Sequence, residues 1–153
     1  MLLDPYLMMW PTVFDEYGTK RLAAWREFRE SLEVSPTPLE DVVELWRHAP
    51  FVNPYLDPQL PTEWPDPWHL MLDLRLDDLA LVLGMLYTIK LTQRFIDTKC
   101  EIHMSMCSQK KQRQYMLVVG DAQVLNFEYG TVVGAEQLEH LDTTTIYAVS
   151  RLQ

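Results

Sequence analysis

Apolar positions recur with a helical period in the first half of the chain and with a strand period in the second. Leu22, Trp25, Phe28 and Leu32 fall at i, i+3, i+6 and i+10 between Thr19 and Leu32, one stripe of an amphipathic helix. Arg21, Arg26, Glu27, Arg29 and Glu30 lie largely off that stripe. Thr37-Pro38-Leu39-Glu40 reads as a capping box with proline at the first helical position, so a second helix is expected through Leu39, Val42, Val43, Leu45 and Trp46, ending near His48 before Pro50. Asp66-Pro67-Trp68 reads as a cap and a short helical turn to about Leu72. A third, central helix starts near Asp77 and runs to about Phe95. It is apolar on all sides through Tyr87, which places it in the core. Gly84 within it would let a neighbouring element approach closely.

After Thr98 the period becomes two. Cys100, Ile102, Met104 and Met106 alternate with Glu101, His103, Ser105 and Cys107, as in a half-buried strand. A basic hairpin tip at 108–113, containing Lys110-Lys111-Gln112-Arg113, leads into the strand Tyr115–Val119. Gly120-Asp121 then turns the chain into Val124–Phe127. A short Val132-Val133 piece and a final strand over Thr144–Val149 follow. Helices first and antiparallel strands afterwards define an α+β fold class: N-terminal helices and a buried central helix packed on a C-terminal antiparallel sheet. At 153 residues one domain over 1–153 is expected.

Two stretches fit neither period. Residues 1–16 are apolar and irregular, and Pro11 bars a helix through them. They are expected to dock on the domain or on a neighbour. Residues 49–66 carry Pro50, Pro54, Pro58, Pro61 and Pro65 interleaved with Phe51, Tyr55, Leu60 and Trp64. Such a segment is extended and loses little entropy when it packs, so it should form a rigid strap. Loops of this length are usually functional or interfacial.

Composition narrows the function classes. Lys+Arg of 13 against Asp+Glu of 22 gives a net charge of −9. A dedicated nucleic-acid or anionic-membrane binder needs the opposite balance. No apolar run approaches the roughly 20 residues of a membrane span. No signal peptide is expected, because Asp4-Pro5 interrupts the apolar start without a preceding basic stretch. Two cysteines make no disulfide framework and point to a reducing place of synthesis. Eight Met, five Trp and seven Tyr suit either a core or the centre of an interface.

Chemistry-bearing clusters are few. Asp77-Asp78 at a helix start is explained by capping and the helix dipole. Cys100, His103 and Cys107 are zinc-ligand types, but in a strand Cys100 faces away from the other two, and His103 and Cys107 lie roughly 13 Å apart. No metal or cofactor is expected. His48, His69 and His140 are scattered and read as caps or surface residues. No glycine-rich phosphate loop and no nucleophile elbow occurs in the sequence.

The head of the central helix resembles the transglutaminase-like branch of the papain-like cysteine fold. In that branch a helix opens on a Gly-Asp-Cys-Asp-Asp-type run followed by a small residue. An antiparallel sheet then supplies a His at the start of one strand and an Asp or Asn on the next. The run here is Leu74-Arg75-Leu76-Asp77-Asp78-Leu79-Ala80, with Leu76 where the cysteine would stand. The resemblance, covering roughly residues 64–130, assigns the His position to Gln114 or Tyr115 and the third position to Asn126. Leucine with glutamine or tyrosine cannot act as nucleophile and base, so the resemblance implies a pseudoenzyme whose sheet and cleft serve a structural use. The Trp64-Pro65-Asp66-Pro67-Trp68 run before Leu83-Gly84-Met85-Leu86-Tyr87-Thr88 is also similar to small tailed-bacteriophage proteins.

The leading expectation is a non-enzymatic assembly protein, a tail, neck or baseplate component of a tailed-phage virion, assembled in the host cytoplasm. It would contact other subunits, in a homo- or hetero-oligomeric setting, through Met8, Met9, Trp10, Phe51, Tyr55, Trp64 and Trp68. One alternative is a divergent papain-like hydrolase using Cys100 or Cys107. Another is an acidic inhibitor or mimic that binds a basic host protein, although the acidic residues form no long run.

Overall fold

The computed structural model describes residues 13–50, 56–107, 112–128, 130–140 and 142–148. Met8, Met9, Trp10, Phe51 and Tyr55 of the expected interface, and Lys110 and Lys111 of the expected tip, lie outside the described residues.

The architecture is α+β: helices are followed by a five-stranded antiparallel sheet. Helix α1 spans Gly18–Leu32 and buries Arg21, Trp25, Phe28 and Leu32. Leu22 of the expected stripe is partly buried against the core, and Arg21 beside it is buried more deeply. The reason lies in helix α3, Pro67–Asp73, whose last carbonyls lack partners within their own helix. Arg21 Nη1 donates to Met71 O at 2.8 Å and to Leu72 O at 3.3 Å, while its stem packs against the core. Helix α2 spans Pro38–Trp46. The reciprocal capping box does not form there: Thr37 makes no side-chain cap bond. Its hydroxyl and that of Ser35 both donate to the Asp41 carboxylate instead. Helix α3 is capped by Asp66, which accepts from His69 N at 2.8 Å.

Helix α4, Asp78–Lys90, is the central element, and every residue from Leu79 to Ile89 is buried. It stops at Lys90, short of the expected Phe95. The chain folds back so that Lys90 Nζ donates to the carbonyls of Phe95, Ile96 and Thr98. The turn is held against α1 by Glu33, whose carboxylate accepts from Gln93 N and Arg94 N at 2.8 Å each. Among the described residues no helix is long and apolar enough to cross a membrane.

The strands are β1 Cys100–Cys107, β2 Gln112–Val119, β3 Gln123–Leu125, β4 Val132–Gly134 and β5 Asp142–Ala148, in the order β4-β3-β2-β1-β5. Gly120 and Asp121 have φ of 61° and 64° and turn β2 into β3 as expected, because a tight hairpin of this hand needs positive φ. β3 ends at Leu125, one turn before the expected Phe127, since Asn126 adopts φ 67°. One sheet face joins the helices around Ile102, Leu117, Val119 and Leu125. On the other, Met116, Val118 and Val124 form a smaller cluster under Phe127, Val133, Ala135 and Leu138. The 3-10 helix Ala135–His140 that carries two of these covering residues was not legible as a periodic signal.

Candidate functional site: a cleft between strap and sheet

The site begins with strand register. β2 pairs with β1 so that Met104 faces Tyr115 and Met106 faces Arg113. β5 pairs with β1 so that Thr145 faces Met104 and Tyr147 faces Ile102. Side chains alternate along a strand, so Met104, Arg113, Tyr115, Thr145 and Tyr147 share the helix-side face. Further along the same strands that face is covered by helices. Near the β1–β2 hairpin it is covered only in part, by the strap. Pro58, Gln59 and Pro61 stand opposite Met104, Arg113, Thr145 and Tyr147, enclosing a cavity of about 300 Å³.

In its described part the segment turns through a 3-10 helix at Pro61–Glu63 rather than staying extended, and it is anchored at several points. Leu56 N donates to Asp77 Oδ2 at 2.9 Å, and Tyr87 Oη donates to Pro65 O at 2.6 Å. Trp64 Nε1 donates to Asp57 O at 2.9 Å. The Trp64 ring lies 5.2 Å from that of Tyr147. Of the two expected interface residues that are described, Trp64 is therefore turned onto the sheet. Trp68 is 41% exposed and meets Trp25 edge-on at 5.9 Å, with the Arg29 guanidinium 5.7 Å from its ring.

At the head of α4, the position that the family motif gives to the nucleophile holds Leu76, which is fully buried. Asp77 beside it is a structural carboxylate. Its Oδ1 accepts from Ala80 N at 2.8 Å and its Oδ2 from Leu56 N, so one side chain caps the helix and ties down the strap. Asp78 is exposed. Partial burial, and then the charge of Asp77, raise its pKa above the usual carboxylate value.

The structure separates the two candidates for the base position. Gln114 lies on the far face and donates through Nε2 to Phe127 O. Tyr115 lies on the cleft face and is buried. Burial raises its phenol pKa, and the neighbouring Arg113 acts in the other direction. Asp77 is near enough for its charge to act on that phenol. Asn126 Nδ2 donates to Tyr115 O at 2.9 Å. The positions the motif pairs are thus adjacent in space: the helix head with Tyr115, and Tyr115 with Asn126.

Arg113 was placed in a solvated tip by the sequence reading. The structure begins β2 at Gln112 and puts Arg113 on the cavity floor. The available signal was parity, since Arg113, Tyr115, Leu117 and Val119 form one alternating set. Cys100 and His103 point to opposite faces of β1, as their spacing implies. Cys100 is buried, and burial pushes its thiol up to about 11, with Lys90 opposing. His103 Nε2 lies 3.5 Å from Glu101 Oε1. His69 Nδ1 is 2.7 Å from the capping Asp66 carboxylate, and His48 Nε2 is 3.5 Å from Glu44. The side chains of Cys107 and His140 lie outside the described residues.

A pH dependence follows from two buried groups. Burial first, and the charge of Asp66 second, push the Tyr87 phenol from 10.0 to about 12. The Cys100 thiol moves from 9.0 to about 11. In both, the folded state holds its proton more tightly than the unfolded chain does. Their contribution to stability is therefore complete below about pH 9 and is lost as pH rises through about 12. Urea midpoints should fall between about pH 8 and about pH 11, and Tyr87→Phe should flatten the upper part of that fall. An equal slope in the variant would remove Tyr87 from the explanation.

No protein-family model matches the chain, and no curated protein matches it in sequence. Solved structures do. LapG of Legionella pneumophila superposes with a TM-score of 0.61 at 14% identity, covering 97% of this chain and 90% of that one. The calcium-bound form of LapG gives 0.62 at 15% identity, covering 97% and 90%. The EGTA-treated form gives 0.62 at 15%, covering 98% and 88%. At such identities the likeness is one of fold: nearly the whole chain has the fold found in LapG.

Proposed function

We propose that this protein binds an extended segment of a partner protein in the cleft between strap and sheet, on a cysteine-hydrolase scaffold that carries no nucleophile at its helix head. The carrying observation is Leu76, at 0% exposure, in the nucleophile position of the motif, while an open cavity persists nearby. A buried leucine can hold the helix head in place but cannot attack a carbonyl. The cleft floor mixes apolar, hydroxyl and cationic side chains, and its wall is a proline-stiffened strap that loses little entropy on binding. Both suit an extended peptide, whose side chains alternate between pocket and solvent.

The likeness to LapG backs by fold the second reading, a divergent papain-like hydrolase, ahead of a virion component, which it does not support. Cys100 weighs against that second reading, because a buried thiol with a raised pKa is a poor nucleophile. Cys107 is its remaining candidate.

The deciding experiment titrates isotope-labelled protein with a panel of short unstructured peptides and follows peptide mass after long incubation. Amide shifts clustered at Met104, Arg113, Thr145 and Tyr147, with every peptide intact, are expected. Cleavage that vanishes in Cys107→Ser would overturn the non-catalytic reading and establish the hydrolase. Absence of any shift with every peptide would refute the binding cleft.

A further inference from the structure

The cavity floor has a feature that a general peptide cleft does not require. Arg113 is exposed and lines the cavity in a chain of net charge −9. Acidic residues are abundant, and several cations use them: Arg26 pairs with Glu30, Arg47 with Glu44, and Lys99 with Glu101 and Asp121. Others are spent on main-chain carbonyls, as Arg21, Lys90 and Arg94 are. Among the side chains described, Arg113 has no carboxylate within ion-pair distance.

Arg113 stands two residues from Tyr115 along the same face of β2, close enough for its charge to act on the phenol. Tyr115 is itself buried beneath the sheet face, and its main-chain carbonyl is held by Asn126. The five-donor fork of a guanidinium matches a carboxylate in two-point geometry. Thr145 and Gln59 add uncharged polar groups around the same cavity. A cation beside the low-dielectric wall of Pro58, Pro61 and Met104 is less screened than one on an open surface.

We infer that Arg113 is the selectivity element of the cleft and receives a carboxylate of the bound segment. This rests on the binding reading above and adds the class of segment: one carrying an Asp or Glu side chain, or a free C-terminus, at the residue that enters the cavity. Charge complementarity carries the choice of occupant. A basic segment would place like charge against Arg113, and a wholly apolar one would leave the guanidinium desolvated and unpaired.

The test measures affinities of three extended peptides of one neutral sequence. The first is blocked at both ends, the second is blocked and carries a central Glu, and the third is free at its C-terminus. At least tenfold tighter binding of either acidic peptide than of the blocked neutral one is expected, with the gap narrowing as salt rises. The identity of the tighter peptide distinguishes side-chain from terminal carboxylate. Arg113→Gln should abolish the gap by loosening the acidic peptides, and as an exposed position it should leave the melting temperature unchanged. Equal binding of all three peptides, or a gap that survives Arg113→Gln, would overturn the inference and leave the cleft itself standing. Failure of every peptide to bind would remove both.

Discussion

Replacing Thr88 by valine should destabilise the protein by about 3 kcal/mol, the largest loss expected from any change of nearly constant volume. Thr88 is fully buried, and its hydroxyl oxygen sits between two indoles. Trp25 Nε1 and Trp46 Nε1 each donate to Oγ1 at 3.1 Å, and the hydroxyl donates to Gly84 O at 2.7 Å. Trp25 lies on α1, Trp46 on α2 and Thr88 on α4, so one oxygen joins three helices. Valine preserves the shape but leaves two buried N–H groups without an acceptor, each at a cost of about 1–3 kcal/mol. For a chain of this size the melting temperature should drop by roughly 6–12 °C. Thr88→Ser keeps the oxygen and should lose only about 1 kcal/mol. If valine and serine lowered the melting temperature equally, the hydroxyl would not be the source of the stability.

Gly84→Ala should also destabilise, by about 2 kcal/mol, although alanine is the better helix former by nearly 1 kcal/mol. A Cβ at this position would stand 2.6 Å from Trp46 Cζ2 and Cζ3 and closer still to Cη2, well inside contact distance, so the ring would have to move. The ring is not free to do so. Its nitrogen is held by Thr88, and Phe14 packs edge-on at 5.2 Å. Overpacking of this kind costs about 1–3 kcal/mol, and breaking the indole bond to relieve it adds to that. The two changes meet on one side chain and should therefore not be additive. Combining Gly84→Ala with Trp46→Phe should recover about 1 kcal/mol relative to the sum of the single losses. Equilibrium unfolding of the four proteins in that cycle gives the coupling directly, and strict additivity would sink the account.

The close approach at Gly84, the capping role of Asp77, the parity of β1 and the turn at Gly120-Asp121 are legible in the sequence, because each follows from neighbours within a few residues. The departures share a cause too. The first helix buries Arg21 as well as packing Leu22, because α3, distant in sequence, has carbonyls to satisfy. α4 stops at Lys90, where the chain folds back and the Lys90 ammonium takes the carbonyls of the returning segment. β3 stops early where Asn126 turns left-handed to reach Tyr115 O.

The site divides along the same line. The apolar residue at the helix head and the lack of a histidine on the facing strand could be read from the chain alone, because they concern residue identity within a motif. Which of Gln114 and Tyr115 faces the helix head could not. That depends on pairing β2 with β1 in one register, and a slip of one residue would exchange the faces. The cavity and the placing of Arg113 on its floor depend further on β5 crossing to pair with β1 and on where the strap is pinned. Local pattern thus determined the element types and the caps at Asp66 and Asp77. Tertiary structure decided the sheet order, the cleft and its one lining cation among the described residues, because contacts between residues far apart in sequence leave no period in the chain.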